Sequence, residues 1–136
     1  MQKYYLDTCI WRDYFENRSD RFRPLGDWAF KLIKKIIEEN NFIMISDLVE
    51  EELSIDYGNK EIENIFSIIP KELLIRISVS NLQFKEAINI SRELKTPLKD
   101  TLHAILAKNN NAILITRDKH FNEIDFVETY KPEELI

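Results

Sequence analysis

Glycine is nearly missing from this chain, with two residues in 136. That scarcity excludes the glycine-rich loops that cradle phosphates, so neither a Walker nor a dinucleotide fingerprint can be written along it. Cysteine is rarer still. With Cys9 alone no intrachain disulfide can form, and a reducing cytoplasm is the expected setting. No apolar run approaches the roughly 18 residues that would span a bilayer, so no membrane is expected as a partner. The opening MQKYYLDT lacks the apolar stretch of a signal peptide. Positive charge is also in deficit, 19 Lys and Arg against 24 Asp and Glu, for a formal charge of −5. Nucleic-acid binding through the field of the whole surface is thereby disfavoured, while a local basic rim is not.

What is present reads as a globular protein: 44% hydrophobic and 32% charged residues, without repeats, low-complexity tracts or linkers. The length suits one domain over 1–136. Short apolar runs predict strands at Tyr4–Leu6, Phe42–Ile45, Leu73–Ile77 and Ala112–Ile115, with a weaker one at Phe126–Val127. Segments of helical period separate them. Leu25, Trp28, Ala29, Leu32, Ile33, Ile36 and Ile37 form one apolar stripe; Ile62, Ile65, Phe66 and Ile69 a second; Ala87, Ile90 and Leu94 a third; Leu98, Leu102, Ile105 and Leu106 a fourth. Strands alternating with helices predict an α/β fold around a mostly parallel sheet. Residues 17–24, NRSDRFRP, read as a basic loop.

In open parallel sheets, sites form beyond the carboxyl ends of the strands. Two predicted strands deliver an acid there. YYL is followed by Asp7, with Thr8 expected to cap a helix through Ile10 and Trp11. AILIT leads into Asp118, flanked by Arg117 and Lys119. Two helices add further acids. In SDLVEEELSI, Asp47 as N-cap with Glu50 three residues on would make a capping box. At 100° per residue Leu48, Val49, Leu53 and Ile55 share a broad face with Glu52 near its middle, while Glu50 and Glu51 point away. In TPLKDTLHAILAKN, Thr96 as N-cap and Pro97 at the first helical position put Asp100 near a helix start, with His103, Ala104 and Ala107 as its turn-mates.

Singly, each acid has an ordinary explanation: Asp7 and Asp118 as strand-end turn residues, Asp100 as a helix-dipole partner, Glu52 as half of a buried ion pair. Together, four carboxylates without four matched inward bases would repel one another unless protonated or loaded with a cation. A hard divalent ion, Mg²⁺ or Mn²⁺, suits such an oxygen cluster. His103 reads first as a packed or surface residue within reach of an acid. Cys9 with His103 as nucleophile and base is a competing chemistry, although packing explains Cys9 more simply. A haloacid-dehalogenase-like phosphatase also carries Asp at its first strand end, but wants a second Asp two residues later, where Cys9 stands.

Four segments occur in order: LDT at the start, the helix from Ser46 to Leu53, KDTLHAILA, and LITRDKHF. As a set they resemble the PIN-domain ribonucleases, and within them the VapC-like toxins of toxin–antitoxin modules. The resemblance covers essentially the whole chain. It implies a three-layer α/β/α sandwich with about five strands, commonly paired as a homodimer, and Mg²⁺- or Mn²⁺-dependent endonuclease activity on RNA. It assigns Asp7, Glu52, Asp100 and Asp118 as the family's four acids, catalytic and metal-binding, and Thr116 as the hydroxyl residue that precedes the last. Cys9 stands where Ser is frequent, His103 where an apolar residue is frequent, and NNNA replaces a glycine-containing turn. RNA is the expected substrate, a cognate antitoxin an expected partner, and Arg117, Lys119, Arg18, Arg21 and Arg23 are expected along the RNA backbone. The rival reading is a PIN-type scaffold that binds RNA or protein without cutting, or an RNA-processing nuclease that is not a toxin.

Overall fold

The computed structural model describes residues 1–136. Five strands, β1 (Lys3–Leu6), β2 (Phe42–Ser46), β3 (Leu74–Ile77), β4 (Ile113–Ile115) and β5 (Thr129–Tyr130), form one sheet in the order β3-β2-β1-β4-β5. Every neighbouring pair is parallel. Six helices connect them: α1 (Thr8–Glu16), α2 (Leu25–Glu38), α3 (Asp47–Leu53), α4 (Asn59–Phe66), α5 (Asn81–Leu94) and α6 (Leu98–Asn109). Right-handed crossovers put α1 to α4 on one face, as the chain steps from β1 to β3, and α5 and α6 on the other, as it returns to β4. The strand order reverses between β1 and β4, the place where open α/β sheets leave a crevice. The expected three-layer α/β/α sandwich is the observed fold.

The core is one cluster of 30 buried hydrophobic residues. The central strands β1 and β2 carry Tyr5, Leu6, Ile43, Met44 and Ile45 at 0–1% exposure, as strands covered on both faces must. The Leu32/Ile36 and Ile62/Phe66 stripes are buried within this chain. Gly26 is set by close approach. A β-carbon there would lie 2.5 Å from the Asn17 α-carbon and 2.6 Å from the Asp13 carbonyl, so α2 can rest on the end of α1 only without one. The NNNA turn works without glycine because Asn111 takes the left-handed conformation, φ 53°, which asparagine tolerates. No helix is long and apolar enough to cross a membrane.

Several boundaries differ from the sequence expectations. The last strand is Thr129–Tyr130 rather than Phe126–Val127, whose two side chains instead pack against the core from a bend. Asp7, not Thr8, caps α1: its carboxylate accepts from the Thr8 amide. Ser46, not Asp47, caps α3 through Val49 N–H, so the Asp47/Glu50 capping box does not form. Asp47 turns instead to the Val79 amide at 3.1 Å and Glu50 to Arg76 at 2.5 Å. Helix α6 starts one residue late, at Leu98, and the Thr96 hydroxyl pairs with Thr101. Ile55 lies beyond the end of α3 and is exposed.

Candidate active site

Beyond the carboxyl ends of β1 and β4 the backbone itself begins the site. Asp7 N–H continues the parallel ladder by donating to the Ile115 carbonyl at 2.9 Å, which brings the last residues of both strands side by side. Thr116 then stitches them together. Its hydroxyl donates to Asp7 Oδ2 at 2.7 Å and accepts from the Asp118 amide at 3.0 Å. A threonine two residues before the aspartate is therefore the link that fixes both acids. Asp7 and Thr116 are 6% and 3% exposed, so these bonds operate away from bulk water. The Cys9 thiol lies against the same carboxylate, 3.6 Å from Asp7 Oδ2. Burial and the Asp7 charge push that thiol far above its ordinary range, which removes it as a nucleophile.

Glu52 reaches the site from α3, whose phase aims it inward as the helical face predicts. Its Oε1 accepts from Thr8 Oγ1 at 3.0 Å and from His103 Nε2 at 2.5 Å. Burial alone would raise its pKa, yet the hydrogen bond from His103, with help from Thr8, holds it below the ordinary glutamate value. His103 Nε2 is also 3.7 Å from Asp7 Oδ1. Arg12 fixes the carrier helix from behind, donating to the Glu52 carbonyl at 2.8 Å and pairing with Asp56 at 2.7 Å. Glu51 is exposed on the opposite side.

Asp100 and Asp118 form the other half of the site, with His120. Asp118 caps a 3₁₀ turn over Lys119–Glu123 by accepting from the His120 amide at 2.9 Å. That turn brings the His120 ring back over both acids, Nδ1 lying 2.9 Å from Asp100 Oδ2 and 2.9 Å from Asp118 Oδ1. Ligand-type atoms of all three residues lie within 4.8 Å of one another. Burial, then the charges of Asp118 and Asp7, push the Asp100 carboxyl up to about 6 against the smaller opposing pull of His120. None of Asp7, Glu52, Asp100 and Asp118 has a Lys or Arg within ion-pair distance; the two histidines are their only basic partners.

The structure thus brings Asp100 and Asp118 into one close set, with Asp7 and Glu52 beside it, each hydrogen-bonded to Thr8. His120 was not singled out in sequence. An exposed histidine in a polar run carries no periodicity, and its only signal is its place two residues after Asp118. His103, read first as a packing residue, is both packed and bonded to an acid.

The basic residues divide. Arg117 is turned inward, 3.5 Å from Asp13, 2.6 Å from Glu133 and stacked over Trp28, and so ties the segment carrying Asp118 to α1, α2 and the C-terminus. Arg18 pairs with Glu16, and Arg21 sits exposed at the tip of a tight turn, with φ 53°. Arg23, itself paired with Asp20, lines a cavity of about 380 Å³ with Thr116, Asp118, Lys119 and Lys131. Lys119 and Lys131 have no carboxylate partner within ion-pair distance and face solvent beside the acids.

Comparison with known proteins agrees with this architecture. No curated protein matches the chain by sequence. Among solved structures it is similar to a chain of VapBC2 from Rickettsia felis bound to a promoter DNA fragment (21% identity, TM-score 0.70, covering 96% of this chain and 98% of that one). It is likewise similar to a chain of VapBC-1 from nontypeable Haemophilus influenzae (21%, 0.67, 97% and 99%) and of a toxin–antitoxin complex from Klebsiella pneumoniae (21%, 0.66, 95% and 97%). At these identities the likeness is one of fold. The profile of the PIN domain matches residues 4–127, nearly the whole length, and with it the chain belongs to the PIN domain family.

Proposed function

We propose that this chain is a divalent-metal-dependent endoribonuclease and the toxin of a toxin–antitoxin pair. The observation that carries the reading is the set of four acids at the β1/β4 switch point without a Lys or Arg partner, one of them pushed up to about 6 by burial and by the charges of Asp118 and Asp7. Carboxylates so placed fit a hard cation, and ligand-type atoms of Asp100, Asp118 and His120 lie within 4.8 Å of one another. Asp7, Asp100 and Asp118 would hold Mg²⁺ or Mn²⁺, with Glu52 beside them. Such an ion, when bound, would supply an acidified water for in-line attack on a phosphodiester and would offset charge on the phosphate oxygens.

The protein's own residues do the rest. Thr116 keeps Asp7 and Asp118 at a fixed separation, and Arg117, locked in its ion pairs, keeps the Asp118 segment from drifting. Lys119, Lys131 and Arg23 line the cavity that opens beside Asp118, where they receive phosphates of the strand flanking the cut, with Arg21 further along. The toxin assignment is supported by the fold shared with chains from VapBC and other toxin–antitoxin complexes, and a small antitoxin encoded nearby is the partner it implies. A homodimer belongs to the same reading. Its support is an apolar groove between α3, α5 and α6, lined by Leu48, Val79, Phe84, Leu98 and Leu102.

Purified protein should cut RNA with Mg²⁺ or Mn²⁺ and stop with EDTA, and Asp100→Asn should abolish cutting. Expression should arrest growth until the neighbouring small reading frame is expressed too. RNA that stays intact with either metal leaves a binding scaffold, and cutting without growth arrest leaves an RNA-processing nuclease. Charge reversal at Lys119 and Lys131 should weaken RNA binding and flatten its salt dependence by roughly one ion per residue. Light scattering should return twice the mass of one chain.

A further inference from the structure

Three deeply buried polar side chains, those of Tyr5, Ser46 and His103, form a line that leads to the site. Tyr5, in the central strand, is fully buried, and its phenol oxygen lies 2.7 Å from Ser46 Oγ and 2.6 Å from His103 Nδ1. The opposite ring nitrogen of His103 meets Glu52 Oε1 at 2.5 Å. Ser46 Oγ in turn accepts from the Val49 amide, in the first turn of the helix that carries Glu52. The line thus starts at Ser46, the end of β2 and cap of α3, crosses β1 at Tyr5 and α6 at His103, and reaches α3 at Glu52.

Proton placement makes this line directional. An ionised Glu52 only accepts, so His103 Nε2 carries a proton toward it. With one proton on the ring, Nδ1 accepts from the Tyr5 hydroxyl, and the Tyr5 oxygen accepts from Ser46. Every proton of the line then has an acceptor. A histidine at 1% exposure among Ala104, Ile105 and Leu106 would be costly with either nitrogen unmatched, and here both are matched. The ring is too deeply buried to meet a substrate, so hydrolysis does not use it directly. Glu52, by contrast, has a long side chain near the end of a seven-residue helix, and Thr8 is its only other side-chain partner.

We propose that His103 is a positioning residue of the acid cluster, holding the Glu52 carboxylate through a buried Ser46–Tyr5–His103–Glu52 hydrogen-bond line. The inference rests on the reading of Glu52 as part of a metal-dependent nuclease site. Outer partners that orient site carboxylates typically change metal affinity or activity by roughly 10–100-fold when removed. Tyr5 and Ser46 set the ring's rotation from the other side, so Tyr5→Phe should act in the same direction and more weakly.

Three variants test it: His103→Leu, which removes both bonds; His103→Gln, whose amide keeps a donor toward Glu52; and His103→Leu combined with Glu52→Gln. Cleavage kinetics, Mn²⁺ titration calorimetry and thermal melting are read on each. His103→Leu should lower kcat and Mn²⁺ affinity by roughly 10–100-fold, with KM for RNA nearly unchanged. His103→Gln should recover most of both, and His103→Leu should add little to the loss of Glu52→Gln. Wild-type kcat and Mn²⁺ affinity in His103→Leu would overturn the proposal, as would multiplicative losses in the double variant. If the wild type cuts no RNA, the nuclease reading fails while the line is still judged by Mn²⁺ affinity and by NMR. The metal-free wild type should show His103 protonated at Nε2, with ring ¹⁵N shifts that move in Glu52→Ala. A ring indifferent to Glu52→Ala overturns the line whatever the enzyme does.

Discussion

The two halves of the site are built on opposite principles. On the Asp7/Glu52 side the protein has already met the charge: Asp7 accepts from Thr8 and Thr116, Glu52 from Thr8 and His103, and the Glu52 carboxyl is held below its ordinary value. On the Asp100/Asp118 side it has not. Those acids share one exposed histidine, and Asp100 is pushed up to about 6. Acids whose acceptor sites are filled by buried donors are parts of the scaffold as well as of the site. Acids that repel one another are a local cost that the rest of the fold must offset, and such costs concentrate where function requires them. The difference teaches which acids can be removed without harming the fold.

The largest expected effect is on catalysis, and there the halves should agree. Asp7→Asn, Asp100→Asn and Asp118→Asn should each lower cleavage by about 10³-fold or more, because each removes charge from the proposed cation site. Glu52→Gln should cost on the order of 10²-fold, whereas Glu51→Gln, on the exposed side of α3, should stay within about 2-fold. Single-turnover cleavage of a labelled RNA reads all five. Comparable losses at Glu51 and Glu52 would mean that the inward face of α3 has no special role.

Stability should separate what catalysis joins. Asp7→Asn puts an amide NH₂ where one of two buried donors now finds a carboxylate oxygen, so the metal-free protein should lose about 1–3 kcal/mol. Asp118→Asn keeps the cap on the His120 amide, since asparagine caps as well as aspartate, while removing a charge that presses on Asp100. Its metal-free melting temperature should rise by roughly 2–5 °C. Added Mg²⁺ should then stabilise the wild type more than Asp118→Asn, because the ion binds the native cluster and not the unfolded chain. Melting temperatures that fall in both variants would erase the distinction between the halves.

How far this site was legible in the sequence follows from the same contrast. Asp7 and Asp118 could be read because apolar runs ended in an acid at the edge where parallel sheets form sites, and Glu52 because helical phase aims it inward. His120 could not, since its role depends on a 3₁₀ turn that folds it back over two acids distant in the chain. The caps were misplaced by one residue for a related reason. Asp7 and Ser46 are each the last step of a strand and the first of a helix, and a sequence pattern assigns such a residue one job where the fold gives it two. Arg117 looked like a phosphate contact because its partners Asp13 and Glu133 lie 104 and 16 positions away, beyond any local pattern. The weak strand at Phe126–Val127 lay three residues early because those side chains pack beside the sheet without joining its ladder.

The smallest effect, and the sharpest test of the contrast, is the pH dependence of the metal-free protein. Asp100 has an ordinary value of 3.8 and a folded value of about 6. Between those values the folded state holds a proton that the unfolded chain releases. Its contribution is therefore complete below the unfolded value and is lost as pH rises through the folded one. Glu52 has the opposite sign. Its folded value lies below the ordinary 4.5, so its contribution is present above that value and is lost as pH falls through the lowered one. Melting temperature should accordingly rise as pH is lowered from 7.5 toward about 5, then turn down below about 4 as Glu52 and other paired carboxylates protonate. In Asp100→Asn the rising limb should flatten while the acid limb remains. In wild type with saturating Mg²⁺ the rising limb should reverse, because protons then compete with the ion for the same oxygens. A rising limb that survives in Asp100→Asn would place the uncompensated charge elsewhere and remove the distinction between a satisfied and a frustrated half.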